Sequence, residues 1–293
     1  MTFEPTPAPA QPPAPIVIGG RCFEWGRRSY VMGIVNATPD SFSGDGVLDP
    51  AAAADQAARI VEDGADLIDV GAESTRPDHE PLDAAGEWAR LAPVLRALRD
   101  AVSAPISVDT SKTYVAERAF DAGADALNDV HGLRADPALA PLLAARGLPA
   151  VLMHNQRGRR PSDDVIADVR AGLEESLAIA EAAGVRRELL ILDPGFGFGI
   201  GPQQSLELVR RLGELRDLGR PLLLGSSRKS AIGWALEREQ EPPAARVAGS
   251  AATVALAIAA GADIVRVHDV REMADVARVS DAILQGRRRE EPA

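Results

Sequence analysis

The run PISVDT (105–110) ends in a carboxylate, Asp109, and seven other short apolar runs lead in the same way to polar or charged groups. Asn36 follows YVMGIV (30–35), and Glu73, Thr75 and Arg76 follow DLIDVGA (66–72). DALNDV (125–130) carries Asn128 and Asp129, His154 follows PAVLM (149–153), and Asp193 closes LLILD (189–193). Arg228 and Lys229 follow PLLLGS (221–226), and DIVRVH (263–268) presents Arg266 and His268. A lone Asp or Asn at a strand end forms a turn or caps a helix more often than it binds a ligand. Asp129 and Glu73 suit the bracing of loops, SRKS suits a basic helix start, His268 suits a packed core, and His79 and His131 suit loops. Eight such ends on one rim point instead to a site.

The residue types restrict its chemistry. Asp109, Asn128 and Asp193 are acceptors that are costly to bury without donors, and a ring bearing several N–H groups supplies them. Each hydrogen bond to a charged acceptor contributes roughly 1.5–3 kcal/mol, so a ring lacking the donor is rejected. Arg76, Arg266 and His268, with Asn36, suit an oxyanion such as diphosphate, whose oxygens match the arginine fork. Asn36 also offers a neutral oxygen to Mg²⁺, a cation that takes few protein ligands alongside phosphate and water.

The elements that position these groups follow from periodicity. Helix candidates near 50–63, 82–101, 112–122, 136–146, 162–183, 203–217, 229–260 (broken at Pro242–Pro243) and 270–285 alternate with the eight apolar runs. EDGADLI, DAGADAL and AAGADIV repeat a helix end with glycine at the left-handed cap. Eight strand–helix pairs fit a closed (β/α)₈ barrel, whose chemistry sits at the strand C-termini. An open doubly wound sheet would carry a glycine fingerprint after its first strand, and VMGIVNATPD has none. The expectation is therefore an α/β chain with one barrel domain over 16–286, opened by a hairpin between Ile16 and Trp25 that plugs its base. The proline-rich segment 1–15 and the charged segment 287–293 read as disordered tails. The long loops NATPDSFSGDGVLDP and AESTRPDHEPLD read as lids.

A net charge of −11 argues against nucleic-acid or anionic-membrane partners. Cys22 alone excludes an internal disulfide or a cysteine metal cluster and fits a reducing, cytoplasmic setting. The N-terminus lacks the pattern of a secretory signal, and no apolar stretch reaches membrane-spanning length.

GIVNATPDSFSGDG, DLIDVGAESTRP, PISVDTSK, LNDVHGL, LMH, ILDPGFGFG, LLLGSSRKSAIG and IVRVHDVRE occur in order across residues 30–272. Together they resemble the dihydropteroate synthases. The resemblance implies a folate-pathway transferase, cytoplasmic, homodimeric and a sulfonamide target. It would join 4-aminobenzoate to 6-hydroxymethyl-7,8-dihydropterin diphosphate, giving 7,8-dihydropteroate and diphosphate by an SN1-like displacement assisted by Mg²⁺. By motif, Asp109, Asn128, Met153, Asp193, Gly225, Lys229 and Arg266 would line the pterin, with Arg266 stacked on its face. Asn36, Arg76, Arg266 and His268 would hold the diphosphate, Asn36 serving the metal. Thr75, Pro77, Phe198, Lys229 and Ser230 would face the aminobenzoate, and Asp109, Lys229, Arg266 and His268 would carry the catalysis. The chain departs from the family pattern at Ile200, where a lysine is common, at SFSGDG and GAESTRP, and at HNQRGR after LMH. A pterin-binding methyltransferase acting on methyl-tetrahydrofolate shares the Asp/Asn floor but needs no diphosphate cradle. A pterin-binding paralogue without turnover would share both.

Overall fold

Two short strands, β1 (Ile16–Ile18) and β2 (Arg21–Phe23), pair antiparallel and precede the other elements among the described residues. The computed structural model describes residues 12–38, 46–73 and 82–286. Thereafter β3 (Tyr30–Asn36), β4 (Leu67–Gly71), β5 (Ile106–Asp109), β6 (Ala126–Asp129), β7 (Ala150–Met153), β8 (Leu190–Asp193), β9 (Leu223–Leu224) and β10 (Ile264–Val267) form one parallel sheet. β10 returns to pair with β3, and a single parallel bridge, Leu192 with Leu222, joins β8 to the β9 segment. The expected (β/α)₈ barrel is thus present. β9 is shorter than the expected 221–226 because Pro221 has no N–H to donate and the chain leaves the ladder at Gly225.

The helices are α1 (Pro50–Glu62), α2 (Ala84–Ala101), α3 (Thr113–Asp121), α4 (Leu139–Arg146), α5 (Val165–Ala182), α6 (Pro202–Arg210), α7 (Ser230–Ala235), α8 (Val247–Ala259) and α9 (Val270–Gln285). Local chemistry sets their starts: Asp49 accepts from Ala52 N at 2.8 Å, Asp83 from Gly86 N at 2.7 Å, and Asp164 from Ile166 N at 2.9 Å. Two of the expected helices are broken. The stretch 203–217 divides into α6 and a tighter 3₁₀ turn at Leu212–Leu218, and 229–260 breaks before the 3₁₀ turn Pro243–Arg246. Pro242 and Pro243 cannot supply interior helix hydrogen bonds.

Side chains along each strand alternate between the barrel axis and the helices. Val31, Ile68, Val108, Leu127, Leu152, Leu192, Leu224 and Val265 face outward into the helical layer. At the N-terminal end the inward set is apolar: Met32, Leu67, Ala126, Val151, Ile191, Leu223 and Ile264 pack on Ile16, Ile18, Phe23 and Trp25 of the hairpin. The hairpin therefore closes the base. Residues 12–15, expected within a disordered tail, are partly engaged: Trp25 Nε1 donates to Ala14 O at 3.0 Å. Residues 1–11 and 287–293 lie outside the described residues.

The three glycine repeats share a second function at this base. Gly64, Gly123 and Gly261 adopt φ of +110°, +101° and +101°, and each turn delivers an aspartate to a strand start. Asp66 accepts from Val31 N at 3.0 Å, Asp125 from Ile106 N at 2.9 Å, and Asp263 from Leu222 N at 2.9 Å. Arg28 also grips Asp66, and Arg99 grips Asp125. Among the described residues, no helix is long and apolar enough to cross a membrane.

Candidate active site

Continuing the inward alternation upward from the apolar plug turns it polar within two residues. Asp69 stands two residues after Leu67, Asn128 after Ala126, Met153 after Val151, Asp193 after Ile191, Gly225 after Leu223 and Arg266 after Ile264. Asp109 is inward because Ile106 and Val108 face out, and Asn36 and His268 extend the same set at the mouth. The strand period alone thus brings these side chains into one cup. Gly225 keeps it open: a Cβ there would stand 3.7 Å from Arg266 Cβ and 4.0 Å from Asp193 Oδ2, in the space between them.

Arg266 is the centre of the polar network. Its Nε donates to Asp69 Oδ2 at 2.7 Å and its Nη2 to Asp109 Oδ2 at 3.1 Å. Asn128 Nδ2 donates to the same Asp69 oxygen at 2.9 Å, and Ser107 Oγ donates to the other. Across the cup, Asp193 Oδ1 accepts from Gly195 N at 2.8 Å. Lys229 Nζ donates to Phe196 O at 2.6 Å and lies 4.4 Å from the centre of the Phe198 ring. His268 Nδ1 pairs with Ser227 Oγ at 3.0 Å.

The electrostatics follow from crowding charges in little water. Burial and the neighbouring Asp69 carboxylate push Asp109 up to about 8, against the pull of Arg266. Burial also raises Asp193, opposed by Lys229 and the Gly195 N–H. Burial drops Lys229 to about 7, with Asp193 pulling it up and Arg266 and Arg157 pushing it further down. Burial acts to lower Arg266, but Asp69 and Asp109 outweigh it and hold the guanidinium firmly charged. A cup of this kind is a functional-site signature.

Several strand-end residues face elsewhere. Asp129 points outward and accepts from Ser111 Oγ at 2.5 Å, His131 N at 2.9 Å and Leu133 N at 2.6 Å, so it braces a loop. Glu73 accepts from Leu82 N at 3.0 Å and shares Lys112 with Glu87. His154 leaves the rim altogether. Its ring lies against α5, where a Cβ on Gly172 would fall 2.0 Å from Nδ1, and Nε2 meets Gln156 Oε1 at 2.8 Å. Burial takes it down to about 4, so it is a neutral packing group. Arg228 is spent on Asp269 at 3.0 and 2.5 Å.

The wall on the β7–β8 side is built by close backbone approach. Gly195 and Gly199 both have positive φ, and a Cβ on either would strike His154 O at 1.9 Å or Arg157 N at 2.4 Å. The GFGFG loop is thereby pressed onto HNQRGR, with Gln156 N donating to Phe198 O at 3.0 Å. Ile200 packs against the core, while Arg157 places its guanidinium 5.0 Å from the Phe198 ring centre. Ser230 is exposed at the first turn of α7. Thr75, Arg76 and Pro77, the remaining expected contacts, lie outside the described residues, as do His79 and the tip of the first long loop.

Asp69 was missing from the sequence-derived set. Its signal was available: a carboxylate in the middle of a strand buried on both faces must find partners.

A family model described as pterin binding enzyme matches residues 32–268. The chain belongs to the dihydropteroate synthase family of pterin-binding enzymes. It is 43% identical to the dihydropteroate synthase of Synechocystis over 92% of this chain and 96% of that one. The Xanthomonas albilineans dihydropteroate synthase, solved with 4-aminobenzoic acid, superposes with a TM-score of 0.86 at 41% identity, covering 93% of this chain and 98% of that one. The same enzyme with 7,8-dihydropteroate gives 0.81 at 38% identity, covering 92% and 98%. The chain is accordingly a transferase of folate biosynthesis, and the barrel is the family's fold.

Proposed function

We propose that the chain condenses 6-hydroxymethyl-7,8-dihydropterin diphosphate with 4-aminobenzoate, releasing 7,8-dihydropteroate and diphosphate. The observation that carries the reading is the convergence of Asp109, Asn128 and Asp193 on one inward layer beside Arg266 and Lys229. The acceptors would take the N–H edge of the pterin, with Met153 and Gly225 lining its remaining sides. Arg266, tied on one edge by two carboxylates, would offer its flat face to the ring. Asn36, His268, Arg266 and Arg76 would hold the diphosphate at the mouth. Phe198, Lys229, Ser230, Thr75 and Pro77 would receive the aminobenzoate.

The bond between the pterin methylene carbon and the diphosphate oxygen breaks with its electron pair going to diphosphate. The cation left on the methylene spreads into the ring, where Asp109 and Asp193 balance it from fixed positions. The amine of 4-aminobenzoate, held in line, gives its lone pair to that carbon and then loses a proton to solvent. No protein nucleophile takes part. Asp109, Lys229, Arg266 and His268 act by holding charge in place.

Among the described residues no group of three His, Cys, Asp or Glu side chains could cage a metal, and Asn36 is half-buried at the top of β3. One amide oxygen suits Mg²⁺, which takes its other ligands from phosphate and water. When bound there, Mg²⁺ supplies charge neutralisation to the leaving diphosphate. We further propose a cytoplasmic homodimer with a single barrel domain over 16–286. Exposed Trp234, Leu236 and Leu256 near α7 and α8 support the dimer, which sedimentation at micromolar concentration tests.

Diphosphate release with both substrates present tests the reaction. Pterin binding without release would mark a silent paralogue. Methyl transfer from methyl-tetrahydrofolate would mark the other branch of pterin enzymes.

A further inference from the structure

Asp69 is fully buried at the floor of the cup, and its oxygens are engaged by protein donors. The two oxygens take three donors: Ser107 Oγ on Oδ1, and Arg266 Nε at 2.7 Å with Asn128 Nδ2 at 2.9 Å on Oδ2. A carboxylate only accepts, so the Asn128 atom turned toward it must be the NH₂. That settles an orientation an isolated amide leaves open: Oδ1 is the end of Asn128 left to meet a ligand, as an acceptor. The same contact fixes Arg266 along its Nε edge, while Asp109 holds Nη2 at 3.1 Å. What Arg266 can offer a ligand is then Nη1, the second hydrogen of Nη2 and its flat face.

We propose that Asp69 is a positioning residue that sets the donor–acceptor polarity of the pterin floor, orienting the Asn128 amide and the Arg266 guanidinium, with Ser107 locking Asp69 itself. This rests on the pterin reading of the site. The argument is one of stoichiometry: three donors from three separate strands converge on one carboxylate, and two of them belong to ligand-facing residues. An Asn at position 69 keeps the shape but offers one acceptor and one donor. Its oxygen, at the place of Oδ2, can still accept from both Arg266 and Asn128, but it is neutral, so the charge-assisted hold on the guanidinium is lost and Asp109 alone remains as its ion partner. A guanidinium loosened in this way presents its face and its remaining N–H groups out of line with the ligand, and an unmatched polar group at a buried contact is heavily penalised.

The test compares wild type, Asp69→Asn and Ser107→Ala by calorimetry with the pterin diphosphate, by steady-state kinetics and across pH. Asp69→Asn is expected to weaken pterin binding at least tenfold, with the KM for 4-aminobenzoate changed less than twofold. Removing the Asp69 charge also lets Asp109 ionise more easily, so the pH midpoint of pterin binding moves down. Ser107→Ala, which keeps the charge and frees one carboxylate oxygen, is expected to weaken pterin binding about threefold and carries the test if Asp69→Asn fails to fold. Unchanged affinity and pH profile in a folded Asp69→Asn, or equal losses for both substrates, overturns the proposal. A wild-type chain that binds no pterin defeats the functional reading alone. The network is then read from the ligand-free protein, where the Arg266 Nε–H resonance is expected to exchange slowly in wild type and fast in Asp69→Asn. Equal exchange in the two overturns the proposal.

Discussion

The two ends of the barrel handle the same residue type in opposite ways. At the base, Asp66, Asp125 and Asp263 each meet a backbone N–H at the start of a neighbouring strand, and arginines reinforce two of them. Burial takes Asp263 only to about 6, with the Leu222 N–H holding it back. At the mouth, Asp109 meets one arginine nitrogen at 3.1 Å, sits near another carboxylate and rises to about 8. A carboxylate with a backbone donor built beside it stabilises the fold; one left short of donors is poised for a ligand that brings them. Both kinds occur in the same barrel, separated by only a few residues along the strands.

The contrast breaks most sharply by truncation at the mouth. Asp109→Ala or Asp193→Ala is expected to lower pterin affinity by a hundredfold or more in calorimetry, because ring donors lose their acceptor. Unchanged affinity would remove that residue from the floor. Arg266→Ala acts on both charge and stability. It strands Asp69 and Asp109 against each other, at a cost of about 3 kcal/mol in denaturant unfolding. It is also expected to weaken the diphosphate-bearing substrate more than free pterin, and equal losses would refute the split between ring and anion.

At the base the signs reverse. Asp66→Ala is expected to cost about 1–2 kcal/mol of unfolding free energy, chiefly through the buried Val31 N–H bond, while pterin affinity stays the same. The nearly half-exposed Arg28 adds little to that figure.

pH sharpens the comparison further. If Asp109 must be ionised to accept from the ring, pterin affinity rises with pH up to about 8 and levels beyond it. The slope is at most tenfold per pH unit and is absent in Asp109→Asn. Stability runs the other way for this group. Its folded pKa lies above the unfolded value near 4, so its contribution is fully present below about 4, falls as pH climbs toward about 8, and is flat above. Asp109→Asn, which cannot ionise, is therefore expected to melt about 2 °C higher than wild type at pH 7 by calorimetry.

Strand order and the polar rim were legible because apolar runs and helical spacing alternate without interruption from Tyr30 onward. Which rim residues face the cup was not legible from type alone. His154 and Met153 are adjacent, yet one packs under α5 and the other lines the cup, and only counting by twos from Val151 separates them. Asn128 and Asp129 divide in the same way. Asp69 was not legible as a site residue because barrel chemistry concentrates at strand ends, whereas Asp69 lies in mid-strand. The broken helices reflect prolines and tertiary packing that periodicity does not weigh.

The join between β8 and β9 rests on one ladder bridge, Leu192 with Leu222, and Asp193 and Gly225 stand on its opposite lips. A cylinder with one such sparsely laced seam opens there first. A bicyclic guest lying across both lips works as a clasp, so occupancy should slow deuterium uptake at Leu222–Leu224 more than in any other strand. The enzyme's softest line and its substrate's resting place are then the same location, and filling the cup tightens the whole hoop.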